Sequence, residues 1–416
     1  MLQIASIRKN ISCQLGDDLG GYGNGIAAVA KHDDLYLHCL YLNDGKKKVL
    51  VLSYDLVGID LPDLVHIREI AKSVLGLPQE DVLISTTHNH SGPQTRLERT
   101  TPLNDRYMNE LFTWTEEALS ELKEVPFHEV NLYYYAKRCA VNVNRRVVTI
   151  ADNVCHFLPK EKELMPLADG ICDDEVGMLF FQDPETRRMT DVFVNYAAHP
   201  LASHTPRQML AGCTITADFP GVVRDCIRTE TGAECCFVTG AAGNMFPREY
   251  EIGFAASQRM GEAIAAAVIE GMSNAQRNPD RFLVKDVMLQ TSMVEVPLRL
   301  RHDPEAPNFA VRKDGMDICP EPLHFLTIGK DVCIVGVPGE LLAEIGIQIK
   351  WNSPFRKTFI AYNSTDYAGY LCHPNAFVSK GFEYRGAIFE SYAGFKLLQA
   401  SVNTLYQLCG KGNELL

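Results

Sequence analysis

Short apolar runs that alternate with amphipathic helical segments constrain this chain to an α/β architecture. Lys48 to Asp55 has the pattern of a buried strand, and a strand pattern beginning at Asp81 follows the next helix. Between them, Leu64, Ile67 and Ala71 lie on one stripe of a helix predicted over Leu61 to Leu75. This alternation predicts mixed β-sheets with helices packed outside them.

The same alternation continues to the end of the chain. Further strands are predicted at Tyr133–Tyr135, Ala140–Asn144, Asp191–Ala198, Val332–Val337 and Phe359–Asn363. Helices are predicted at Asn109–Glu124, Asp218–Thr231 and Phe254–Met272. Arg301 to Pro322, rich in Asp, Glu and Pro, is predicted to be a long loop. With no repeat and no low-complexity linker, we expect residues 1–416 to form a single large catalytic domain.

Composition limits the partners of such a domain. The formal net charge of −12 argues against binding to nucleic acid or to an anionic membrane surface. The chain has no apolar run long enough to span a bilayer, and its first residues do not have the pattern of a secretory signal. Its 13 cysteines include no Cys-x-x-Cys pair and are expected to be buried, reduced thiols. We therefore expect a cytoplasmic protein with a small-molecule substrate and no stable membrane association; a homo-oligomer remains open.

Polar residues that suit metal binding follow several of the predicted strands. His88 and His90 are two residues apart, so in an extended backbone both imidazoles project from one face. His199, Glu340 and the pair Tyr367 and Tyr370 follow other strands. Imidazoles and a carboxylate are suitable ligands for a catalytic zinc ion. From these residues alone the zinc site is one hypothesis, and structural hydrogen bonding or helix capping by Glu340 is the alternative.

Two further polar residues have weaker predictions. His204 follows His199 along the chain and is expected either at the surface or lining the pocket. Asp218 is expected to support the start of its helix or the residues around the site.

The segment Thr87-His88-Asn89-His90-Ser91-Gly92-Pro93 resembles the Thr-His-Thr-His-Ser-Gly-Pro motif of the neutral/alkaline non-lysosomal ceramidase family. Other similar segments follow in the family's order, over about Gly20 to Tyr384. They are Val141–Arg145, Asn195–His199, Ala217–Gly221, Thr239–Asn244, Val337–Glu340 and Tyr367–Leu371. The resemblance implies that this chain corresponds to the catalytic domain of these ceramidases.

The resemblance also implies roles for individual residues. One zinc ion, or another divalent metal, would be held by His88, His199, Glu340 and a tyrosine, which we assign to Tyr367 with Tyr370 as the neighbouring alternative. His90 would lie beside the metal and move a proton or hold the substrate. Arg145 and Tyr370 would stabilise the oxyanion that develops on the substrate.

The chain departs from the family at two places. Phe246, in Gly243-Asn244-Met245-Phe246-Pro247, stands where ceramidases carry a serine, so an acyl-enzyme route through that position is excluded. The small C-terminal β-domain of ceramidases is also expected to be absent. The interpretation is a zinc-dependent hydrolase of an amide or ester bond in a soluble substrate rather than ceramide. A metal-dependent lyase or isomerase of a sugar-like substrate and a non-catalytic metal-binding protein are the alternatives.

Overall fold

Apolar side chains along the central strands alternate between two cores. In the strand Lys48–Tyr54, Val49 and Val51 pack into one core, and Leu50 and Leu52 pack into another. Successive side chains of a strand point to opposite faces, so such a strand is covered on both sides. The sequence pattern thus requires a layered architecture.

The computed structural model describes residues 1–21, 25–97, 101–149, 154–157, 166–203, 213–249, 253–301 and 317–412, with the side chains of 166–169 left out. The strands in these ranges are β1 (Leu2–Asn10), β2 (Asp18–Leu19), β3 (Ile26–Lys31), β4 (Tyr36–Asn43), β5 (Lys48–Tyr54), β6 (Val82–Thr86), β7 (His128–Arg138), β8 (Asn142–Asn144), β9 (Arg146–Thr149), β10 (Cys155–Phe157), β11 (Pro166–Asp169), β12 (Glu175–Gln182), β13 (Met189–Tyr196), β14 (Cys213–Ile215), β15 (Glu234–Thr239), β16 (Met245–Pro247), β17 (Leu289–Arg299), β18 (Ile318–Ile328), β19 (Val332–Gly336), β20 (Glu340–Leu341), β21 (Lys357–Ala361) and β22 (Tyr370–Leu371). The helices are α1 (Leu61–Leu75), α2 (Asp105–Glu124), α3 (Asp218–Thr231), α4 (Phe254–Arg277), α5 (Pro279–Phe282), α6 (Ala343–Trp351), α7 (Asn375–Ser379), α8 (Phe382–Gly386) and α9 (Ala393–Leu408).

Two sheets form the centre of the molecule. The larger has eight strands in the order β15-β13-β12-β7-β1-β4-β5-β6, and the smaller has four in the order β17-β18-β19-β21. Both are mixed, because β5/β6, β13/β15 and β19/β21 pair in parallel and the other pairs are antiparallel. One core joins the facing sides of the two sheets, where Phe193 of β13 contacts Phe359 of β21.

Helices cover the outer faces of both sheets. On the larger sheet, α1 packs over β6 and α2 packs over β1 and β4, whereas α3 packs over β15 and α4 packs over β7 and β12. On the smaller sheet, α6 and α9 contribute Ile345, Ile349, Leu397 and Leu405 to the core. The predicted α/β class, with mixed sheets and helices outside, is confirmed.

One predicted loop is partly wrong. Ile318–Pro322 belongs to β18, which pairs along its whole length with β17. Proline usually indicates a loop, but Pro320 and Pro322 lie opposite Pro297 and Glu295 within this hairpin. Residues 302–316 of the same predicted loop lie outside the described residues.

The cysteines form no disulfides. All 13 lie in the described ranges as thiols, and most are buried, including Cys235 and Cys236 of β15. Burial raises the pKa of Cys236 to about 12, so its thiol stays protonated and unreactive at neutral pH. None of the described helices combines the length and the apolar character needed to cross a bilayer.

A buried histidine away from the strand ends gives a test of this packing. His324 of β18 lies 2.8 Å from the Glu80 carbonyl through Nε2, and burial, assisted by the charge of Arg68, lowers its pKa to about 3. An unfolded histidine takes up a proton near pH 6.5. The native state therefore loses stability relative to the unfolded state as pH falls from 6.5 towards 3, by up to about 1.4 kcal/mol per pH unit. Urea denaturation between pH 7 and pH 5 should show a shallower loss for His324→Gln; equal pH slopes would contradict this prediction.

Candidate metal centre

The candidate residues meet where parallel strands of both sheets end. β6, β13 and β19 are each half of a parallel pair, and the chain leaving them carries His88, His199 and Glu340 respectively. Tyr367 and Tyr370 follow β21, which is parallel to β19. The carboxyl ends of parallel strands are a common location for binding sites in α/β folds. These predicted residues are therefore brought to one place.

His88 and His90 converge, but through a turn. β6 ends at Thr86, and His88 has a φ of 63°, in the left-handed region that a β-strand does not use. The predicted extended register of the pair is therefore wrong. The Nε2 atoms of His88 and His90 nevertheless lie 3.0 Å apart, and the two rings meet edge to face. A non-glycine residue in this region costs about 1–3 kcal/mol and is most often retained at functional sites.

Backbone carbonyls set the orientation of two imidazoles. Nδ1 of His88 lies 2.7 Å from the Val57 carbonyl, and Nδ1 of His199 lies 3.1 Å from the Met245 carbonyl. Since a carbonyl only accepts, Nδ1 of His199 carries the proton and its Nε2 presents a lone pair. Nδ1 of His88 lies between the Val57 carbonyl and the side-chain amide of Asn363, 2.9 Å away, and these two contacts fix the orientation of the ring. Metal-ligating histidines are usually held in this way.

Glu340 completes a compact group of donor atoms. Its Oε2 lies 3.5 Å from Nε2 of His88 and 3.3 Å from Nε2 of His199. That His199 nitrogen is buried and has no hydrogen-bond partner, since its geometry towards Glu340 does not form one. The ring nitrogens of His88, His90 and His199 lie within 4.8 Å of one another.

This donor set fits a divalent metal. Donors placed tetrahedrally at zinc–ligand distances of about 2.0–2.1 Å are roughly 3.3 Å apart, close to the separations between Glu340 and the two histidines. A buried imidazole nitrogen without a partner is costly unless it meets a cation or a donor. We infer that these side chains could hold a metal ion.

The protonation states also suit metal binding. Burial lowers the pKa of His88 to about 3 and also lowers the pKa of His199, so both rings are neutral at pH 7. Burial acts to raise the pKa of Glu340, but the adjacent imidazoles and the Tyr367 hydroxyl outweigh it and hold the pKa well below its usual value. Neutral imidazoles and an ionised carboxylate are the forms that bind metals.

Two tyrosines bind the carboxylate of Glu340. Tyr367, the predicted ligand, donates its hydroxyl to Oε1. Tyr362, which the sequence interpretation missed, donates to Oε2 at 2.9 Å, and Oε2 is the oxygen that faces the histidines. Burial, with the charge of Glu340, raises the pKa of both phenols. Tyr362 could have been found from its position directly after β21.

Tyr370 lies next to Arg145. Nη2 of Arg145 donates to the Tyr370 hydroxyl at 3.1 Å, so the phenolic proton points elsewhere, and no acceptor for it is present among the described residues. Arg145 also donates from Nε to Glu383 at 2.5 Å and from Nη2 to the Gly243 carbonyl at 2.9 Å. The ring of Phe246 contacts both Arg145 and His199. All the predicted site residues therefore belong to one connected group.

Close backbone contacts hold these loops together. A Cβ on Gly243 would lie 2.6 Å from the Glu340 carbonyl oxygen, so only glycine allows this approach. Gly243 therefore lets its loop approach the backbone of β20 directly. Glu340 does not cap a helix, because it lies in β20, and α6 starts at Ala343 without a side-chain cap.

Neighbouring polar residues support the loops. Asp218, at the start of α3, accepts hydrogen bonds from the backbone and hydroxyl of Ser203, which confirms its predicted structural role. Asp55, directly after β5, pairs with Arg224 in a buried ion pair and accepts a hydrogen bond from Thr87 at 3.4 Å. His204 lies outside the described residues.

Two further charged residues near the site were missed. The guanidinium of Arg96 stacks 4.0 Å from the centre of the Tyr367 ring. Glu383, which binds Arg145, lies in α8. Neither residue directly follows a strand. The sequence around each of them therefore does not indicate that it contacts the site.

Gly21 gives a matched test of how His90 is held. A Cβ at Gly21 would lie 2.4 Å from Nδ1 of His90, whereas a Cβ at Gly16 would meet nothing within 4 Å. The two glycines have φ values of 92° and 93°, so alanine should cost each about 1–3 kcal/mol in backbone strain. Only Gly21→Ala should also displace His90 and weaken zinc affinity, by about tenfold or more. Zinc titration against a chromophoric chelator would show this, and equal affinities in the two variants would contradict it.

Comparison with known proteins identifies the fold. No family model matches the chain, and no curated protein matches it in sequence. The crystal structure of a neutral ceramidase from Pseudomonas aeruginosa superposes with a TM-score of 0.80 and 14% identity, over 99% of this chain and 75% of that one. A ceramidase complexed with C2 gives a TM-score of 0.79, with the same identity and coverage. The chain therefore has a ceramidase-like fold.

Proposed function

We propose that this chain is a zinc-dependent hydrolase that cleaves an amide bond, or an ester bond, in a small soluble substrate. The observation that supports it most is the buried group of His88, His199 and Glu340, with the ring nitrogens oriented by backbone carbonyls. The similar solved structures are ceramidases by name, which supports acyl-bond hydrolysis on this fold.

In this proposal His88, His199 and Glu340 hold the metal, with Tyr367 as the fourth ligand. Tyr362 is the alternative tyrosine ligand, because its hydroxyl donates a hydrogen bond to Oε2 of Glu340, the carboxylate oxygen nearest the histidines. A bound zinc ion would polarise the substrate carbonyl and would lower the pKa of a bound water molecule to about 7. Another divalent metal with the same ligand preference is an alternative.

The chain's own groups provide the remaining chemistry. Arg145 and Tyr370 stabilise the oxyanion that develops on the substrate carbonyl: Arg145 donates to the Tyr370 hydroxyl oxygen, which leaves the phenolic proton available to the oxyanion. His90, in contact with His88, gives a proton to the leaving amine. Phe246 offers no nucleophilic atom beside His199, so the proposed route is direct attack by water rather than an acyl-enzyme at that position.

The surroundings favour hydrolysis over the lyase or isomerase alternative. A sugar-like substrate needs several hydrogen-bonding side chains around its hydroxyls. The rings of Tyr362, Tyr367 and Phe246 face the histidines, and the hydroxyls of both tyrosines are already hydrogen-bonded to Glu340. The net charge of −12 gives no attraction to an anionic membrane, which favours a soluble substrate over ceramide. A cytoplasmic location is part of the proposal, because 13 cysteines without a disulfide suit a reducing compartment.

A substrate panel tests this function. Protein freed of metal with a chelator and reloaded with zinc would be assayed against N-acyl amino acids, simple esters and long-chain ceramide in mixed micelles. We expect zinc-dependent release of amine from N-acyl compounds. Ceramide cleavage at rates that match the small substrates would contradict the soluble-substrate assignment. Zinc binding without hydrolysis of any compound would favour the non-catalytic metal-binding alternative.

A further inference from the structure

The guanidinium of Arg145 is surrounded by aromatic rings. Its Cζ lies between 4.6 and 5.5 Å from the centres of four rings. They belong to Phe157, Phe246, Tyr370 and Phe382. Phe157 and Phe382 are partly exposed, at 41% and 42%, whereas Phe246 is buried and contacts His199. A row of contacting rings therefore extends from the partly exposed Phe157 and Phe382, past Arg145, to His199.

Nε and Nη2, which form one edge of the guanidinium of Arg145, donate all their hydrogen bonds within the protein. Nε donates to Glu383, and Nη2 donates to the Gly243 carbonyl and the Tyr370 hydroxyl. In the part of the chain that the structure describes, no residue accepts a hydrogen bond from Nη1. Arg145 as a whole is only 2% exposed, but Nη1 is not one of the fully buried side-chain nitrogens that lack a hydrogen-bond partner. Nη1 therefore keeps some accessible surface. The two N–H groups of Nη1 are therefore available to a ligand that enters between the rings.

The charge around Arg145 is unbalanced. Within the described ranges, Glu383 is the carboxylate that pairs with both Arg145 and Arg146, so two buried guanidiniums share one negative charge. The other described partners of Arg146 are neutral, namely the Ser379 hydroxyl and the Lys380 carbonyl. The exposed fractions of Arg145, Arg146 and Glu383 are 2%, 6% and 1%. A buried excess of one positive charge is costly unless a counter-ion meets it.

We propose that Nη1 of Arg145, with the rings of Phe157, Phe246 and Phe382, forms a subsite for the carboxylate of an N-acyl amino acid with an apolar or aromatic body. A single excess positive charge matches a monoanionic carboxylate better than a phosphate dianion. The shared contact with Phe246 places this subsite beside the histidines, so the carboxylate belongs to the molecule whose amide bond is cleaved. The inference thus rests on the proposed hydrolase function and specifies its substrate class.

Equilibrium binding can test the subsite without turnover. The probes are N-benzoylglycine and its neutral analogue N-benzoylglycinamide, titrated calorimetrically into chelator-treated protein. Charge-assisted hydrogen bonds are roughly twice as strong as neutral ones, so we expect the wild type to bind the carboxylate about tenfold more tightly or better. Arg145→Met should lose this preference. Arg228→Met is the control, because it removes the same charge from an exposed ion pair with Asp225 on α3 and should keep the preference.

The wild-type comparison decides the proposal even if Arg145→Met does not fold. Equal affinities of the two probes for wild type, or an intact preference in folded Arg145→Met, would overturn the subsite. Failure of the hydrolase proposal is a different result: the preference would persist in protein that binds no zinc or cleaves no N-acyl compound.

Discussion

Replacing His199 with alanine is expected to remove the metal and abolish hydrolysis. Nε2 of His199 is buried without a hydrogen-bond partner and lies 3.3 Å from Glu340, so the variant loses a donor at the centre of the site. Even the hydrogen-bond partners of metal ligands contribute about 10–100-fold to affinity. Loss of a ligand should therefore weaken zinc binding by more than about 100-fold, with hydrolysis falling at least as far.

The matched control for this variant is His324→Ala. His324 is as deeply buried as His199 but lies in β18, bonded to the Glu80 carbonyl. This control should lower the free energy of unfolding while leaving zinc affinity unchanged. Competition with a chromophoric chelator measures both variants. Zinc affinity in His199→Ala equal to that of the control would remove His199 from the metal centre.

Replacing Glu383 with alanine is expected to destabilise the fold severely. The variant leaves Arg145 and Arg146 as two adjacent buried cations without their shared carboxylate. Removing one partner of a buried ion pair typically costs about 3–5 kcal/mol, because the remaining charge stays buried. We expect a loss of at least that size in the free energy of unfolding, measured by urea denaturation at neutral pH.

An exposed glutamate near the same region provides the comparison for Glu383. Glu390 lies 3.8 Å from Arg299, and both side chains are more than half exposed. Exposed ion pairs contribute about 0–1 kcal/mol, so Glu390→Ala should have little effect. Similar losses in the two variants would show that the buried charges around Arg145 are not stabilised by Glu383.

Local chemistry explains why several helices could be predicted from the sequence. α1 spans Leu61–Leu75 as expected, with Pro62 in its first turn and Gly76 ending it in a left-handed conformation. α3 spans Asp218–Thr231, also as expected, and ends at Gly232. α2 begins at Asp105 rather than Asn109, because the side chain of Asn104 caps it by accepting a hydrogen bond from the Tyr107 backbone.

Residues defined by long-range contacts could not be found in the same way. Glu383 meets Arg145 across 238 positions of sequence, and nothing in α8 indicates that its carboxylate is buried between two arginines. Tyr362 was passed over for Tyr367, because the order of the tyrosines along the chain does not show which oxygen of Glu340 each one reaches. By contrast, His88, His199 and Glu340 each follow a buried strand, and parallel pairing brought them to one edge.

The metal content of the wild-type protein tests the central claim most directly. Protein incubated with zinc, dialysed free of excess and measured by inductively coupled plasma mass spectrometry should contain one zinc ion per chain, held by His88, His199 and Glu340. Protein that folds normally but retains neither zinc nor any other divalent metal after this treatment would contradict the metal centre and the hydrolase function proposed from it.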